Sequence, residues 1–260
     1  MPILIAGFVG AVVGSFLNVC IFRMPEGESV VFPASHCRYC KTAIAWHDNI
    51  PLVSFIVLKG RCRNCGAGIS WQYIFVESLT IFLFILFYEV FGLSVKGGVY
   101  LVLSLALLVE SAIDYRHKII PDSITLPGIA LGVVLSGFFP GLHEQDSWLY
   151  GILYSVLGVL LGGGILYLTG SVGEWILKKE AMGGGDVKLL AMIGAVLGWR
   201  GALWTIFVSS LIGSVVGVYL RLKNGEKEIP FGPYLALGAF FYLFFGQRTI
   251  EWYAKFLGWG

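Results

Sequence analysis

Two acids and four cysteines carry most of the chemistry that this 260-residue sequence can offer. Asp114 lies in SAIDYRHKIIPDSITLPG and Asp186 in AMGGGDVKLLAMIG, each at the margin of a long apolar run. Ionisable groups so placed are costly and are functional suspects by default. Two acids that meet there share one proton, because adjacent anions repel. The ionised carboxylate can then take a proton from water while its protonated partner donates to a carbonyl oxygen or a leaving amine. Such a pair hydrolyses a peptide bond without a metal. Helix N-capping is the competing role for Asp186. It is the preferred one for Asp122, which precedes Ser and Ile at the start of an apolar run. The glycines before Asp186 do not form a phosphate loop: GGGDVK lacks the Gly-Lys-Ser/Thr ending and follows no strand.

Cys37-x2-Cys40 and Cys62-x2-Cys65 lie about 20 residues apart in a polar segment, the spacing of a four-thiolate zinc site rather than of a disulfide framework. Four sulfurs close the shell and leave no position for substrate, so the expected zinc is structural. It would staple a segment with too small a core to fold alone. Gly66 and Gly68 allow the tight turn after the second pair. Cys20 sits in an apolar run and reads as a small hydrophobe. Two further acids are ambiguous. Glu77, near the start of an apolar run, either reaches water or a loop Arg, or contacts a cationic ligand or amine. Glu110 is one helical turn from Asp114 on the same face.

The elements that must hold these residues are membrane spans. Hydrophobic residues make up 57% of the chain and charged residues 13%, against about 45–50% and about 25% in soluble domains. Eight apolar stretches of roughly membrane-crossing length are legible: Ile3–Phe22, Tyr73–Gly92, Gly98–Asp114, Ser123–Pro140, Trp148–Gly170, Val187–Trp199, Gly201–Leu220 and Pro233–Arg248. The sixth is short for a full crossing. The first has no basic n-region or small-residue cleavage site and reads as a retained span. Fourteen of the 18 Lys and Arg residues fall in alternate connections, which puts those connections in the cytoplasm and both termini outside. Small-x3-small pairs such as Gly158/Gly162 and Gly194/Gly198 read as helix-packing positions. No internal repeat is evident. The expected fold is an all-α polytopic membrane protein of about eight transmembrane helices with a zinc-stapled cytoplasmic loop.

The sequence resembles the bacterial prepilin peptidase family, the type IV leader peptidases, over nearly its whole length. GSFLNVCIFRMP (14–25) resembles the family's N-terminal signature. The two C-x2-C pairs, with NIPLVSF between them and GRC at the second, resemble its cytoplasmic loop. IDYRHKIIPDSITLPG and GGGDVKLLAMIGAVLGW resemble the segments that carry its two aspartates, and IPFGPYLALG (229–238) resembles the start of its last helix. QYIFVE (72–77) departs from the Arg-Tyr-Pro run common before the glutamate. The resemblance implies catalytic roles for Asp114 and Asp186, and cleavage of the basic leader from prepilins or pseudopilins, usually between Gly and Phe. It also implies methylation of the new N-terminus with S-adenosylmethionine, for which Glu77 is the candidate contact.

Three parts follow: a first transmembrane helix (1–22), a cytoplasmic zinc-binding loop tied to methyl transfer (23–72), and a peptidase bundle (73–260). The expected setting is the bacterial inner membrane, with the active site facing the cytoplasm. Expected partners are prepilin substrates and the lipid bilayer, with no nucleic acid. Local attraction for a basic leader is expected from Glu26, Glu28, Glu77, Glu174 or Glu180. The rival reading is a proton-coupled transporter using the buried acids. It leaves the cysteine loop without a purpose.

Overall fold

The computed structural model describes residues 1–178, 182–224 and 229–256. Lys179, Glu180, Gly225 and Lys227, which entered the sequence expectations, lie outside the described residues. The chain divides into two compact units, Met1–Leu101 and Val102–Gly260.

The first unit is built on α1 (Pro2–Arg23), the short α2 (Val53–Val57) and α3 (Gln72–Phe91). It also holds the start of α4 (Val95–His117). Helices α1 and α3 run antiparallel in a fixed register. A Cβ on Gly10 would meet the Ile81 backbone, and one on Gly14 would meet the Glu77 backbone. Asn18 donates from Nδ2 to the Tyr73 carbonyl at 3.3 Å. Small residues therefore bring two backbones together at Glu77, as packing without a hydrophobic driving force requires.

The second unit continues α4 and adds α5 (Asp122–Phe138), α6 (Trp148–Leu177), α7 (Gly184–Asn224), α8 (Gly232–Phe241) and α9 (Gln247–Phe256). Helix α7 would be about 60 Å long if straight, twice the hydrocarbon thickness. It kinks at Gly198, whose φ of 70° and ψ of 179° are not helical. Positive φ is open to glycine without the usual steric cost. A break there strands the carbonyls of the preceding turn, and neighbouring side chains supply the missing donor. Ser155 donates to the Ala195 carbonyl at 2.7 Å. Ser136 lies 3.4 Å from the same oxygen and 2.8 Å from Nε2 of His143.

Among the described residues, five helices are long and apolar enough to cross a membrane: α1, α3, α4, α6 and α7. Asp122–Phe138 and Gly232–Gly246 are shorter apolar helices. The chain is thus a multi-pass helical membrane protein. The expected sixth and seventh spans are the two arms of α7. The stretch Pro233–Arg248 is α8 followed by a π-helical turn, Tyr242–Gly246.

Helices α6 and α7 meet most closely where Gly158 opposes Gly194, since a Cβ on either would strike the other's carbonyl. Gly164, also on α6, faces open space. Gly194→Ala is therefore expected to lower stability by about 1–3 kcal/mol, although alanine is the better helix former. Gly164→Ala should be neutral or stabilising. Melting of the purified variants in detergent checks the contrast.

Candidate active site

Asp114 stands in the last turn of α4 and is 5% exposed. Its Oδ2 accepts a hydrogen bond from the Gly232 N–H at 2.9 Å. A Cβ on Gly232 would lie 2.7 Å from that oxygen, so a glycine at the start of α8 is what lets backbone approach the acid. Asp186 is in the first turn of α7 and is half-buried, with Oδ1 buried and without a hydrogen-bond partner. The two carboxylates are near enough to interact electrostatically. Helix α7 begins at Gly184, so Asp186 lies inside its first turn rather than flanking the helix as a cap.

Glu110 is fully buried, and neither carboxyl oxygen has a hydrogen-bond partner. Asp122 departs from expectation. The N-cap of α5 is Pro121, which gives no side-chain cap, and Asp122 is the first helical residue. Both its oxygens accept from Lys188 Nζ, at 2.7 and 2.8 Å. As the first helical residue, Asp122 is past the cap position, and its carboxylate is turned to Lys188.

The cysteine module consists of two turns of the same design. Cys37 N–H donates to Thr42 and Lys41 N–H to Cys37; in the second turn, Cys62 N–H donates to Ala67 and Gly66 N–H to Cys62. Lys41 and Gly66, each just after the second cysteine of its pair, both have positive φ, 57° and 71°. Lone bridges, His36 with Ala43 and Arg61 with Gly68, close both turns. The repeat runs through CRYCKTAI (37–44) and CRNCGAGI (62–69), which share both cysteines, the arginine and the isoleucine although one turn uses Lys where the other uses Gly. The four Sγ atoms lie within 4.8 Å of one another, Cys37 and Cys65 being 3.8 Å apart. Sulfurs bound tetrahedrally at about 2.3 Å from zinc stand about 3.8 Å apart, so the residues fit that ion. The Thr42 hydroxyl, then the Thr42 backbone and the Asn64 amide, bring the Cys40 thiol down to about 6, which favours the metal-binding thiolate. Arg63, between the cysteines of the second turn, clasps Asp48 through two hydrogen bonds of 2.6 and 2.7 Å and holds that carboxyl below its usual range.

Glu77 is 6% exposed. It neither snorkels to water nor pairs with a loop Arg. Its Oε2 accepts the Leu52 N–H at 2.8 Å, and the Ser15 hydroxyl reaches the same carboxylate. Leu52 has a φ of 60°, a strained conformation for a residue with a Cβ. Buried Arg23 binds the loop from the other side, donating to the carbonyls of Ser29 at 3.0 Å and Pro33 at 2.8 Å. Between loop and helices lies a cavity of about 750 Å³ lined by Ser15, Phe22, Asp48, Leu52, Tyr73 and Glu77 among others. Glu26 and Glu28 line it as well, and Glu26 is paired with Arg38.

Sequence reasoning missed Gly232 and Lys188. The Gly-Pro step opening the last apolar run could have flagged the first. Nothing in the spacing of Lys188 and Asp122 announces their pairing.

A multi-pass helical membrane protein with a four-cysteine module is the class that this architecture defines. The family described as the bacterial peptidase A24 N-terminal domain matches residues 8–91, and the type IV leader peptidase family matches residues 101–218. The chain is 37% identical to the prepilin leader peptidase/N-methyltransferase of Pseudomonas aeruginosa, over 96% of this chain and 92% of that protein. Proteins of the same description from Stutzerimonas stutzeri and Xanthomonas campestris are 36% and 35% identical, over 98% and 97% of this chain and 94% of each relative. No solved structure matches. The chain belongs to the type IV leader peptidase family.

Proposed function

We propose that this chain removes the basic leader of prepilins or pseudopilins and methylates the N-terminus so exposed. What supports the peptidase reading is that Asp114 and Asp186, on separate helices, lie near enough to interact electrostatically, in a family named for leader cleavage. One carboxylate activates water, and the other protonates the scissile carbonyl oxygen and then the leaving amine. The Gly232 N–H fixes the Asp114 side chain, so orientation is supplied before substrate arrives. A transporter reading has no use for the cysteine module or for family membership. Incubating the purified protein with a synthetic prepilin-like peptide, with mass spectrometry of the products, tests the proposal. An uncut peptide would end it.

The methyl-transfer reading is supported by the cavity of the first unit. Its volume is within the range of small-molecule sites, and the buried Glu77 carboxylate in its wall suits a sulfonium cation. S-adenosylmethionine would supply an electrophilic methyl group there. Glu77 holds the wall in place through Leu52, while Asp48 and Arg63 brace the adjoining turn. Zinc would be held by Cys37, Cys40, Cys62 and Cys65 in a structural role.

In the proposed topology the chain crosses the inner membrane eight times, counting both arms of α7 and the two shorter apolar helices. Residues 1–22 form the first span, 23–72 the cytoplasmic zinc loop and 73–260 the peptidase bundle. Both termini lie outside and the active site faces the cytoplasm, in keeping with the division of basic residues. Cysteines placed at Ser94 and Gln145 are then expected to react with an impermeant reagent from outside. Those at Asn64 and Gly225 should react only from the cytoplasm. Reversed labelling would put the acids on the wrong side for a leader peptidase.

A further inference from the structure

We propose that Asp122 and Lys188 form a positioning pair that sets the place of Asp186 relative to Asp114, a role that rests on reading those two acids as the hydrolytic pair. Only a short turn separates Asp114 from Asp122. It opens at Lys118, in the left-handed region with φ 54°, and ends where α5 begins. This turn and the first residue of α5 touch the start of α7 at two points, one on each side of Asp186. Before it, Ile120 lies so close to Gly185 that a Cβ there would come within 2.9 Å of the isoleucine Cβ. After it, Lys188 Nζ reaches both oxygens of Asp122, at 2.7 and 2.8 Å. The segment carrying one acid is thus pinned at both ends to the segment that follows the other.

The bland reading is a solvated charge pair. Its side chains are 40% and 55% exposed, and ion pairs so exposed add little to stability. That weakness separates the two roles. A pair kept for stability would be nearly dispensable here. A pair kept for position would change turnover while leaving folding alone, because a displacement of about 1 Å can cost on the order of 100-fold in rate. Neither residue need touch substrate, so the effect should fall on kcat rather than on KM.

The test uses the full-length protein in detergent with a synthetic peptide of basic leader and apolar helix. Lys188→Met and Asp122→Asn are each expected to lower kcat about 10- to 100-fold, with KM and melting temperature little changed. Lys188→Arg, which keeps the charge, should retain most of the rate. The swapped double variant, Asp122→Lys with Lys188→Asp, should recover much of what either charge-reversed single variant loses. A swap no better than the worse single variant would overturn the proposal. So would equal rates for Lys188→Met and Lys188→Arg, a comparison that decides the matter even if the swapped chain fails to accumulate. Complete inactivity of Asp122→Asn beside an active Lys188→Met would overturn it too, because Asp122 would then act on substrate itself. Asp114→Asn and Asp186→Asn are measured alongside. Activity in either refutes the hydrolytic pair, whereas their inactivity with no rescue by the swap refutes the positioning role alone.

Discussion

Replacing Asp114 or Asp186 by Asn is expected to reduce leader cleavage by on the order of a thousandfold or more while the protein still accumulates in the membrane. The loss is large because the two acids act as a unit: without one, the other has no partner with which to divide the tasks of base and acid. It should fall on kcat, since amide and carboxyl have the same shape and packing is kept. The Asn at 114 can still accept the Gly232 N–H, so the fold around it should survive. Cleavage assays and immunoblots of membrane fractions together separate a lost reaction from a lost protein. Near-normal turnover in either variant would remove that residue from the site.

A Cys62→Ser, Cys65→Ser double variant is expected to lose its metal and most of its methylation, with cleavage reduced only a few-fold. Every residue from 24 to 71 is at least partly exposed, so this segment has no buried apolar centre of its own. What orders it is the pair of cysteine turns, the Arg63–Asp48 clasp and the anchors at Arg23 and Glu77. Opening the sulfur shell removes the main fastening, since structural zinc supplies folding free energy directly. The cavity wall that includes Leu52 and Asp48 should then loosen. Methyl transfer also needs a neutral amine, and an α-amine with a pKa near 8 is mostly charged at neutral pH. A wall that excludes water favours the neutral form. Metal content by atomic emission, with separate cleavage and methylation assays, reads the result. Full methylation by a metal-free protein would sink the idea, and equal loss of both activities would give the loop a part in binding the peptidase substrate.

The helices were legible because bilayer-facing sequence is simple. Apolar runs give both ends of α1 and α3 and the start of α6 to within a few residues. The acids were legible because carboxylates are conspicuous in such company, and the cysteines because two C-x2-C pairs stand out by their spacing. What could not be read was pairing across the chain. Asp122 looks like a cap because Asp-Ser-Ile is a good local start, but Pro121 holds the cap position and the carboxylate pairs with Lys188, 66 residues on. Glu77 looks like a free acid until Leu52, 25 residues earlier, is seen to spend an N–H on it. Gly198 reads as a helix-packing glycine within the sixth span, and nothing local announces that α7 breaks there. The sequence does not show that Ser136, Ser155 and His143 gather to satisfy the broken turn beside it.

The arm of α7 that carries Asp186 has a further property. From Leu189 to Leu197 every residue is buried, an apolar stretch of about 14 Å between the acids at one end and the serine–histidine cluster at the other. A hydrolase must admit water to its acids, yet a membrane that stores a proton gradient must not be breached. None of the nine side chains from Leu189 to Leu197 is titratable, so this arm itself offers protons no side-chain relay between its two ends.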